Sequence, residues 1–334
     1  MFSASLKNQI VELSQPGQNL AVLVVAYLRP DNLGQILEIA RSAGISRFFI
    51  SVDFPRDATV SALELNSEVL LVAKNFQKSS GCEVHIFERK QNVGCSAAVL
   101  SSCDWFFENV DYGIVLEDDC LPTLGFFAYC ADALPIIEEN QGIWLACGTQ
   151  FAPPFSTEPW VLSRYPLTWG WATTKKNWIE ISSSLMESYV GLKASRERGI
   201  SVSESIYWNA GALRALSGVS DAWDTPLAQI MLLRSKFAVL PRIALVSNIG
   251  NDSQATHTHG KSIGLRLKTG SYSASARKPD VVKEVDDWLM KEFYQIKTRH
   301  VFSTRITRLI DFFFCRVLRS TSLTVRWKRA RIEC

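Results

Sequence analysis

The chain has 334 residues, of which 47% are hydrophobic and 21% are charged, and its formal net charge is +3. This is the composition of a globular protein with a sizeable core, and it excludes a disordered or low-complexity chain. The opening residues lack the basic-then-apolar order of a signal peptide, and no apolar run reaches bilayer length. The eight cysteines form no CxxC pair, so we expect reduced thiols and a cytoplasmic protein.

The charge is distributed unevenly along the chain. Residues 297–334 hold ten of the 36 basic residues and two of the 33 acidic ones, so residues 1–296 carry about −5. This acidic body argues against a nucleic-acid partner. The basic stretch 297–331 also contains Phe, Leu and Trp, which predicts peripheral contact with the inner face of the cell membrane. The alternative is a helix packed on the body with its charges in solvent.

Strand-like and helical patterns alternate through the first 150 residues. Short runs rich in Val, Ile, Leu and Phe predict strands at 19–28, 47–54, 82–88, 112–116 and 142–148. Apolar residues at helical spacing predict the intervening helices at 33–44, 58–78, 95–110 and 126–139. Such alternation builds βαβ units, so we predict an α/β fold with a mostly parallel central sheet flanked by helices.

A different pattern follows residue 150. The stretch 164–178 is dense in Trp, a helix is predicted to begin near Asp224 with Pro226 in its first turn, and 238–250 resembles a strand. A polar loop with His257 and His259 comes next. We therefore expect a nucleotide-binding half at about 19–150, a second half at about 151–260, and a basic helical segment at 261–334.

Polar residues follow each of the first four predicted strands. Ligands of parallel sheets bind outside the carboxyl ends of the strands, so these residues should share one rim. Arg29 could pair with a phosphate or remain a solvated loop charge, and Asp53 could accept from a base or ribose or serve only as a turn residue. Gly94 permits close approach of backbone to a ligand, or an ordinary turn before a helix. The rim candidates are Ala26, Tyr27, Arg29, Asp53, Asn92, Gly94 and the acidic triplet Glu117, Asp118 and Asp119.

The triplet "EDD" ends the fourth predicted strand. Three adjacent carboxylates repel one another unless a positive charge lies among them, and hard oxygen ligands suit Mg²⁺ or Mn²⁺. The alternative is a solvated acidic turn. The place of the triplet at the end of a βαβ strand favours the metal hypothesis.

Several motifs occur in one order: "VVAYLRP", "SVDFP", "NVGCSAAVLSSCDWFF", "GIVLEDDCLP", "TWGWATTKKNW", "DAWDTPLAQ" and "LVSNIGNDSQATHTHG". Over roughly residues 19–260 they resemble GT-A-type glycosyltransferases of bacterial surface-polysaccharide assembly, which are distantly similar to the N-acetylglucosaminyltransferase I group. The resemblance implies a GT-A fold and a nucleoside-diphosphate sugar donor, most simply a UDP-sugar. It also implies a glycan or lipid-linked acceptor.

The resemblance assigns roles at matching positions. It implies that Asp119 holds the metal, that Asp118 contacts ribose or sugar, and that Asp53 faces the nucleobase. Relatives carry a Lys in the run after "GC", where this chain has 96–98 as Ser-Ala-Ala, so a phosphate or sugar contact from that Lys is not carried over.

The acceptor side has its own candidates. An inverting transferase needs a base for the acceptor hydroxyl, and Asp224 is our first candidate and Asp221 the second. Asp224 could instead cap a helix, or do both. Trp169 and Trp171 are also candidates for binding the nucleotide sugar: they could stack on a donor or acceptor sugar with Gly170 allowing close approach, although core packing is the alternative for both rings. His257 could complete the metal or diphosphate site, or stabilise its loop.

Two other classes of function remain open on the sequence. A sugar nucleotidyltransferase uses a similar sheet but has a Gly-rich, basic loop after the first strand, which "AYLRPDN" lacks. A non-catalytic nucleotide-sugar or glycan-binding protein is the third hypothesis. We expect a glycosyltransferase.

Overall fold

The computed structural model describes residues 20–250, 268–274 and 278–296. One sheet contains eight strands in the spatial order β3-β2-β1-β4-β8-β6-β9-β7. A two-stranded sheet pairs β5 with β10. In chain order the strands are β1 (Ala21–Ala26), β2 (Arg47–Val52), β3 (Glu83–Glu88), β4 (Tyr112–Glu117), β5 (Cys120–Pro122), β6 (Ile143–Cys147), β7 (Trp160–Ser163), β8 (Trp171–Thr174), β9 (Phe237–Pro241) and β10 (Val246–Asn248).

Helices connect the strands and cover the large sheet. A 3₁₀ turn at Leu185–Glu187 and a π-helix at Leu289–Phe293 add to them. The α-helices are α1 (Pro30–Ser42), α2 (Val60–Ser79), α3 (Cys95–Asn109), α4 (Leu124–Glu139), α5 (Lys175–Ser184), α6 (Gly191–Glu197), α7 (Val202–Leu216), α8 (Asp224–Leu233) and α9 (Lys283–Trp288). The five strands predicted before residue 150 and the helix beginning near Asp224 are confirmed within a few residues.

The strand directions explain the position of the site. Strands β1, β2, β3 and β4 pair in parallel, while β8 is antiparallel to both β4 and β6. The carboxyl ends of β1–β4 and β6 therefore point to one edge of the sheet, and β8 begins at that same edge. The predicted α/β class with a mostly parallel sheet is confirmed.

The core lies on both faces of the sheet. Alternate residues of β1 belong to two different clusters, with Leu23 packed on one face and Val24 on the other, and both are fully buried. A strand buried on both faces cannot alternate apolar with polar residues, which is why β1 reads as a continuous apolar run. Among the described residues, no helix combines the length and apolarity needed to cross a membrane.

The described part of the C-terminal region packs into this body. Val285, Leu289 and Met290 are buried in the cluster on the α3 side of the sheet. Asp286, which is 5% exposed, accepts hydrogen bonds from Ser163 Oγ at 2.6 Å and from the Arg164 backbone. Residues 278–296, which the sequence placed in a separate segment beginning at 261, therefore complete the core. The predicted membrane-contacting stretch 297–331 lies outside the described residues.

Candidate active site

A cavity of about 730 Å³ opens at the edge where β1–β4 end and β8 begins. It collects most of the residues that the sequence singled out. The predicted residues that line it are Ala26, Tyr27, Arg29, Asp53, Asn92, Gly94, Glu117, Asp118, Asp119, Trp169, Asp221 and Asp224. His257 lies outside the described residues.

The order of strands across the sheet arranges this cavity. Asn92 and Asp53 follow β3 and β2 at one end, Tyr27 follows β1, and the acidic triplet begins at the last residue of β4 in the middle. Trp169 precedes β8 at the far end. The described lining contains seven Asp or Glu residues and two Arg residues, so negative charge predominates.

Asp118 is held in the middle of the cavity by two strong contacts. Its Oδ1 accepts from Arg29 Nη1 at 2.7 Å, and its Oδ2 accepts from the Tyr27 backbone N–H at 2.7 Å. The carboxylate is 3% exposed, and burial raises its pKa to about 6 although Arg29 opposes the shift. Arg29, predicted to meet a phosphate, is thus the cation that balances part of the triplet.

Glu117 and Asp119 flank this ion pair and are partly exposed. Burial, and then the charges of Asp119 and Asp118, raise the pKa of Glu117. The Asp119 carboxylate lies against Gly250, where an added Cβ would come within 2.6 Å of its Oδ2. Two neighbouring carboxylates that repel each other in this way attract a cation.

The donor set around the triplet fits a hard divalent ion. Mg²⁺ commonly takes one or two carboxylates from a protein and completes its shell with water and substrate phosphates. Asp119 and Glu117 supply such carboxylates on the cavity wall. Larger groups of three or more His, Cys, Asp or Glu that could hold a metal are absent from the residues that the structure describes, so phosphate or water ligands would be needed.

Asp53 lies at the β2–β3 end and is 5% exposed. Its Oδ1 accepts from the Phe54 N–H at 2.9 Å and its Oδ2 accepts from Asn92 Nδ2 at 3.1 Å. Burial raises its pKa to about 6, although the charge of Arg89 opposes the shift. The carboxylate thereby joins the β2 and β3 loops and forms one wall of the cavity.

The amino end of α3 is occupied by a side chain of the chain itself. Asp221 accepts from the Cys95 N–H at 2.8 Å and the Ser96 N–H at 3.2 Å, and it lies 3.6 Å from the Arg56 guanidinium. Gly94 precedes the helix with a positive φ of 84°, which favours glycine. The N–H groups at the amino end of α3 thus bind a carboxylate of the protein itself, because a helix amino end favours negative charge.

Asp224 is differently placed. It is the first residue of α8, with Trp223 at the N-cap position, so it is not the capping residue itself. Its Oδ1 accepts from the adjacent Thr225 N–H at 2.9 Å. Its charge reaches the middle of the cavity, where it contributes, after burial and the two neighbouring acids, to the raised pKa of Glu117.

The Trp-Gly-Trp motif divides between cavity and core. Trp169 lines the cavity and is partly exposed. Trp171 is 1% exposed and packs against Trp178 and Trp223, so the prediction that it stacks on a sugar is wrong. The prediction that Gly170 allows close approach of a sugar is also wrong. An added Cβ would meet Val246 at 2.9 Å and Leu116 at 3.0 Å, so the close approach at Gly170 is to the core.

The sequence reading missed several residues of the cavity. Arg56 comes from the loop after β2, Phe151 from the loop after β6, and Phe293 and Tyr294 from the C-terminal region. The helical spacing of apolar residues over 285–296 was the available signal that this region packs on the body. Nothing local in the sequence indicated that it reaches the cavity.

Comparisons with known proteins give weak structural likenesses. No protein-family model and no curated protein matches the sequence. A UDP-glucose pyrophosphorylase complexed with UDP-glucose is 11% identical over 66% of this chain and 89% of its own, with a TM-score of 0.35. The galactosyltransferase LgtC, in complex with donor and acceptor sugar analogs, is 14% identical over 51% of this chain and 64% of its own, at 0.31. HddC from Yersinia pseudotuberculosis is 14% identical over 47% of this chain and 77% of its own, at 0.29.

Proposed function

We propose that this chain is a metal-dependent glycosyltransferase of the GT-A type. It would move a sugar from a nucleoside-diphosphate sugar to a hydroxyl group of a glycan or lipid-linked acceptor. The observation that carries the proposal is the excess of carboxylates, seven against two arginines, around one cavity at the carboxyl ends of parallel strands. Such an acidic cavity repels a nucleotide diphosphate unless a divalent cation accompanies it.

In this proposal the donor occupies the half of the cavity that adjoins the carboxyl ends of β1–β4. Asp53 and Asn92 form the nucleoside end, and the Arg29–Asp118 pair fixes the middle of the floor. Asp119, assisted by Glu117, would hold Mn²⁺ or Mg²⁺. When bound, such an ion neutralises charge that develops on the leaving diphosphate.

Asp224 would accept the proton of the acceptor hydroxyl, with inversion at the anomeric carbon. Asp221 is the weaker candidate, because its two oxygens accept from the α3 amino end and face Arg56. Asp224 has a bond to its own helix N–H and lies at the cavity wall. A carboxylate at that place is suited to general-base catalysis.

The loop after β1 argues against a sugar nucleotidyltransferase. Helix α1 begins at Pro30, so only 27–29 separate it from β1. Three residues leave no room for the Gly-rich phosphate-binding loop that this class uses. An assay for pyrophosphate release from nucleoside triphosphate and sugar phosphate should therefore be negative.

The first test is a thermal-shift screen of UDP-, GDP-, dTDP- and CMP-sugars with and without Mn²⁺. We expect one base to raise the melting temperature selectively and only with metal, because a ligand that binds the native state stabilises it. Asp119→Ala should abolish that shift and the transfer or hydrolysis of the donor. The matched control is Glu138→Ala, since Glu138 is an exposed acid outside the cavity lining.

Two results would contradict the proposal. Undiminished sugar transfer or donor hydrolysis by Asp119→Ala would remove the metal role. Metal-dependent binding of UDP with no turnover of UDP-sugars, across broad acceptor mixtures, would favour a binding protein instead. Contact of 297–331 with a membrane stays a prediction, which vesicle sedimentation of the full chain would measure.

A further inference from the structure

Four aromatic rings form a continuous wall at the β8–β6 end of the cavity. Phe151 stacks on Phe293 with ring centroids 4.2 Å apart and an angle of 15° between the planes. Trp169 meets Phe151 edge-on at 5.1 Å, and Tyr294 meets Phe293 edge-on at 4.8 Å. We call these four residues the aromatic wall.

The aromatic wall differs from the other large rings of the body. Trp144, Trp160 and Trp178 are at most 2% exposed and serve the core. All four wall residues are partly exposed, and all four line the cavity. Solvent-facing aromatic surface inside a cavity costs free energy unless a ligand covers it, because apolar area is then left in water.

Core residues and a buried carboxylate hold the C-terminal part of the aromatic wall in place. Tyr294 packs against Trp208 at 4.9 Å and Tyr165 at 5.5 Å. The helix that precedes it is tied down by the buried Asp286, which accepts from Ser163 and Arg164. A surface fixed in this way binds a ligand without the entropic cost of ordering its own side chains.

The position of the wall separates it from the nucleoside end. Asn92 and Asp53 follow β3 and β2, whereas Trp169 and Phe151 adjoin β8 and β6, beyond β4 in the sheet. Asp224 lines the same cavity as the wall, and its charge contributes, after burial and Tyr207, to the raised pKa of Tyr294. The wall therefore shares its cavity with the carboxylate that we assign to the acceptor hydroxyl.

We propose that the aromatic wall binds a neutral pyranose ring of the acceptor, an inference that rests on the proposed function. A pyranose presents an apolar C–H face to the electron-rich faces of the rings and hydroxyl groups to Asp224 on its other side. The wall consists of aromatic residues, and the two arginines of the described lining follow β1 and β2, so the described lining offers an anionic sugar no Lys or Arg at the wall. Residues 293 and 294 thus give the C-terminal region a role in choosing the acceptor.

The test is saturation-transfer NMR on the full chain with UDP and Mg²⁺. The probes are the methyl β-pyranosides of glucose, galactose and N-acetylglucosamine, and methyl β-glucuronide serves as the anionic probe. We expect ring C–H signals from at least one neutral pyranoside and weaker signals from the glucuronide. Phe293→Leu keeps an apolar side chain but removes the flat face, and should weaken pyranoside binding by about 2- to 10-fold, the range of an aromatic contact.

Controls separate this inference from the proposed function. Phe155→Ala removes an aromatic ring that is 44% exposed and lies outside the cavity lining, and it should leave the pyranoside signal unchanged. Trp169→Leu reports on the same wall if melting curves show that Phe293→Leu does not fold. Affinity for UDP should stay within about twofold in the wall variants, a change smaller than an aromatic contact supplies.

Three results would overturn the inference. The first is the absence of a pyranoside signal from the wild type while UDP binds, which leaves the proposed function standing. The second is an undiminished pyranoside signal in the folded wall variants. The third is a loss of UDP affinity in those variants equal to the loss of pyranoside binding, which would mean that a nucleobase stacks on the wall. If no nucleotide sugar of the thermal-shift screen binds, it is the proposed function that fails.

Discussion

The two ends of the cavity are built by different means. At the carboxylate end, Asp53, Asp118 and Asn92 lie within a few residues of strand ends and are joined by hydrogen bonds and one ion pair. At the other end the aromatic wall joins residues 151, 169 and 293–294, and ring packing holds it together. The first end takes its residues from strand ends that the sequence pattern predicts, whereas the second end takes its residues from two loops and the C-terminal region.

The same contrast separates two acids that neighbour each other in sequence. Asp221 accepts a hydrogen bond at the amino end of α3 and forms an ion pair with Arg56. Asp224, three residues later, starts α8 and faces the cavity. Identical carboxyl groups three residues apart thus have different surroundings.

The largest expected effect tests this difference between the two acids. Asp224→Asn should lower the rate of sugar transfer by about 10²- to 10⁴-fold, because a general base contributes in that range. The Michaelis constant for the donor should change little. Asp221→Asn should cost less, since Asn still accepts from one α3 N–H group.

Steady-state kinetics give the rate of sugar transfer and the Michaelis constant of both variants. The donor in these assays is the one that the thermal-shift screen identifies. Circular dichroism melts of both variants provide the folding control. If Asp221→Asn lost as much turnover as Asp224→Asn, the assignment of the base would be wrong.

The next effect concerns stability at the carboxylate end. Arg29→Met removes the partner of Asp118, whose side chain is 4% exposed, and leaves a buried carboxylate unpaired. We expect a loss of about 3 to 5 kcal/mol in the free energy of unfolding at pH 8. Urea denaturation measures it.

A surface ion pair offers the matched control for this loss. Arg41 and Glu38 lie 2.7 Å apart on the exposed face of α1, and Arg41→Met should change stability little because solvent screens such pairs. Equal effects of the two substitutions would show that the buried pair contributes no more than a surface pair.

The smallest expected effect for any single residue is a pH dependence of stability that metal should oppose. Burial raises the pKa of Asp53 and Asp118 to about 6, above the unfolded value of about 3.9. Their protonated forms stabilise the native state below about pH 4, and that stabilisation is lost as the pH rises through about 6. In the absence of metal, the free energy of unfolding should fall by about 1 to 3 kcal/mol per carboxylate over this interval.

Urea denaturation at pH 5, 6, 7 and 8, with and without Mg²⁺, measures this dependence. Stabilisation by Mg²⁺ should grow with pH, because the ion competes with protons for Glu117 and Asp119. Asp53→Asn, which removes one titrating group, should reduce the slope. Glu83 and Glu88 have lowered pKa values from contacts with His85 and Lys90, so they act at more acidic pH. Stability that rises from pH 5 to 7 without metal would contradict the prediction.

Much of the fold was predictable from short-range pattern. The apolar runs at β1, β2 and β4 are buried on both faces, and that burial is what a continuous run of Val, Ile and Leu indicates. Placing their polar ends on one edge needed only the rule that βαβ crossovers keep strands parallel. The carboxylate end of the cavity was therefore within reach of the sequence.

The partners of the site residues were not predictable in the same way. Whether Arg29 meets a phosphate or Asp118, 89 residues away, depends on the spacing of β1 and β4 in the sheet. Trp169 and Trp171 are two residues apart, yet one lines the cavity and the other is core. Composition and local spacing are the same for both, so only packing distinguishes them.

The α/β class, the strand ends and the acids beside them could be predicted from the sequence, because these depend on periodicity and chain order. Tertiary structure alone decided that Asp221 occupies the α3 amino end, 126 residues away, and that Tyr294 reaches the cavity from beyond the predicted domain boundary. Contacts between segments so far apart depend on the sum of many small packing energies, and no short stretch of sequence carries that sum.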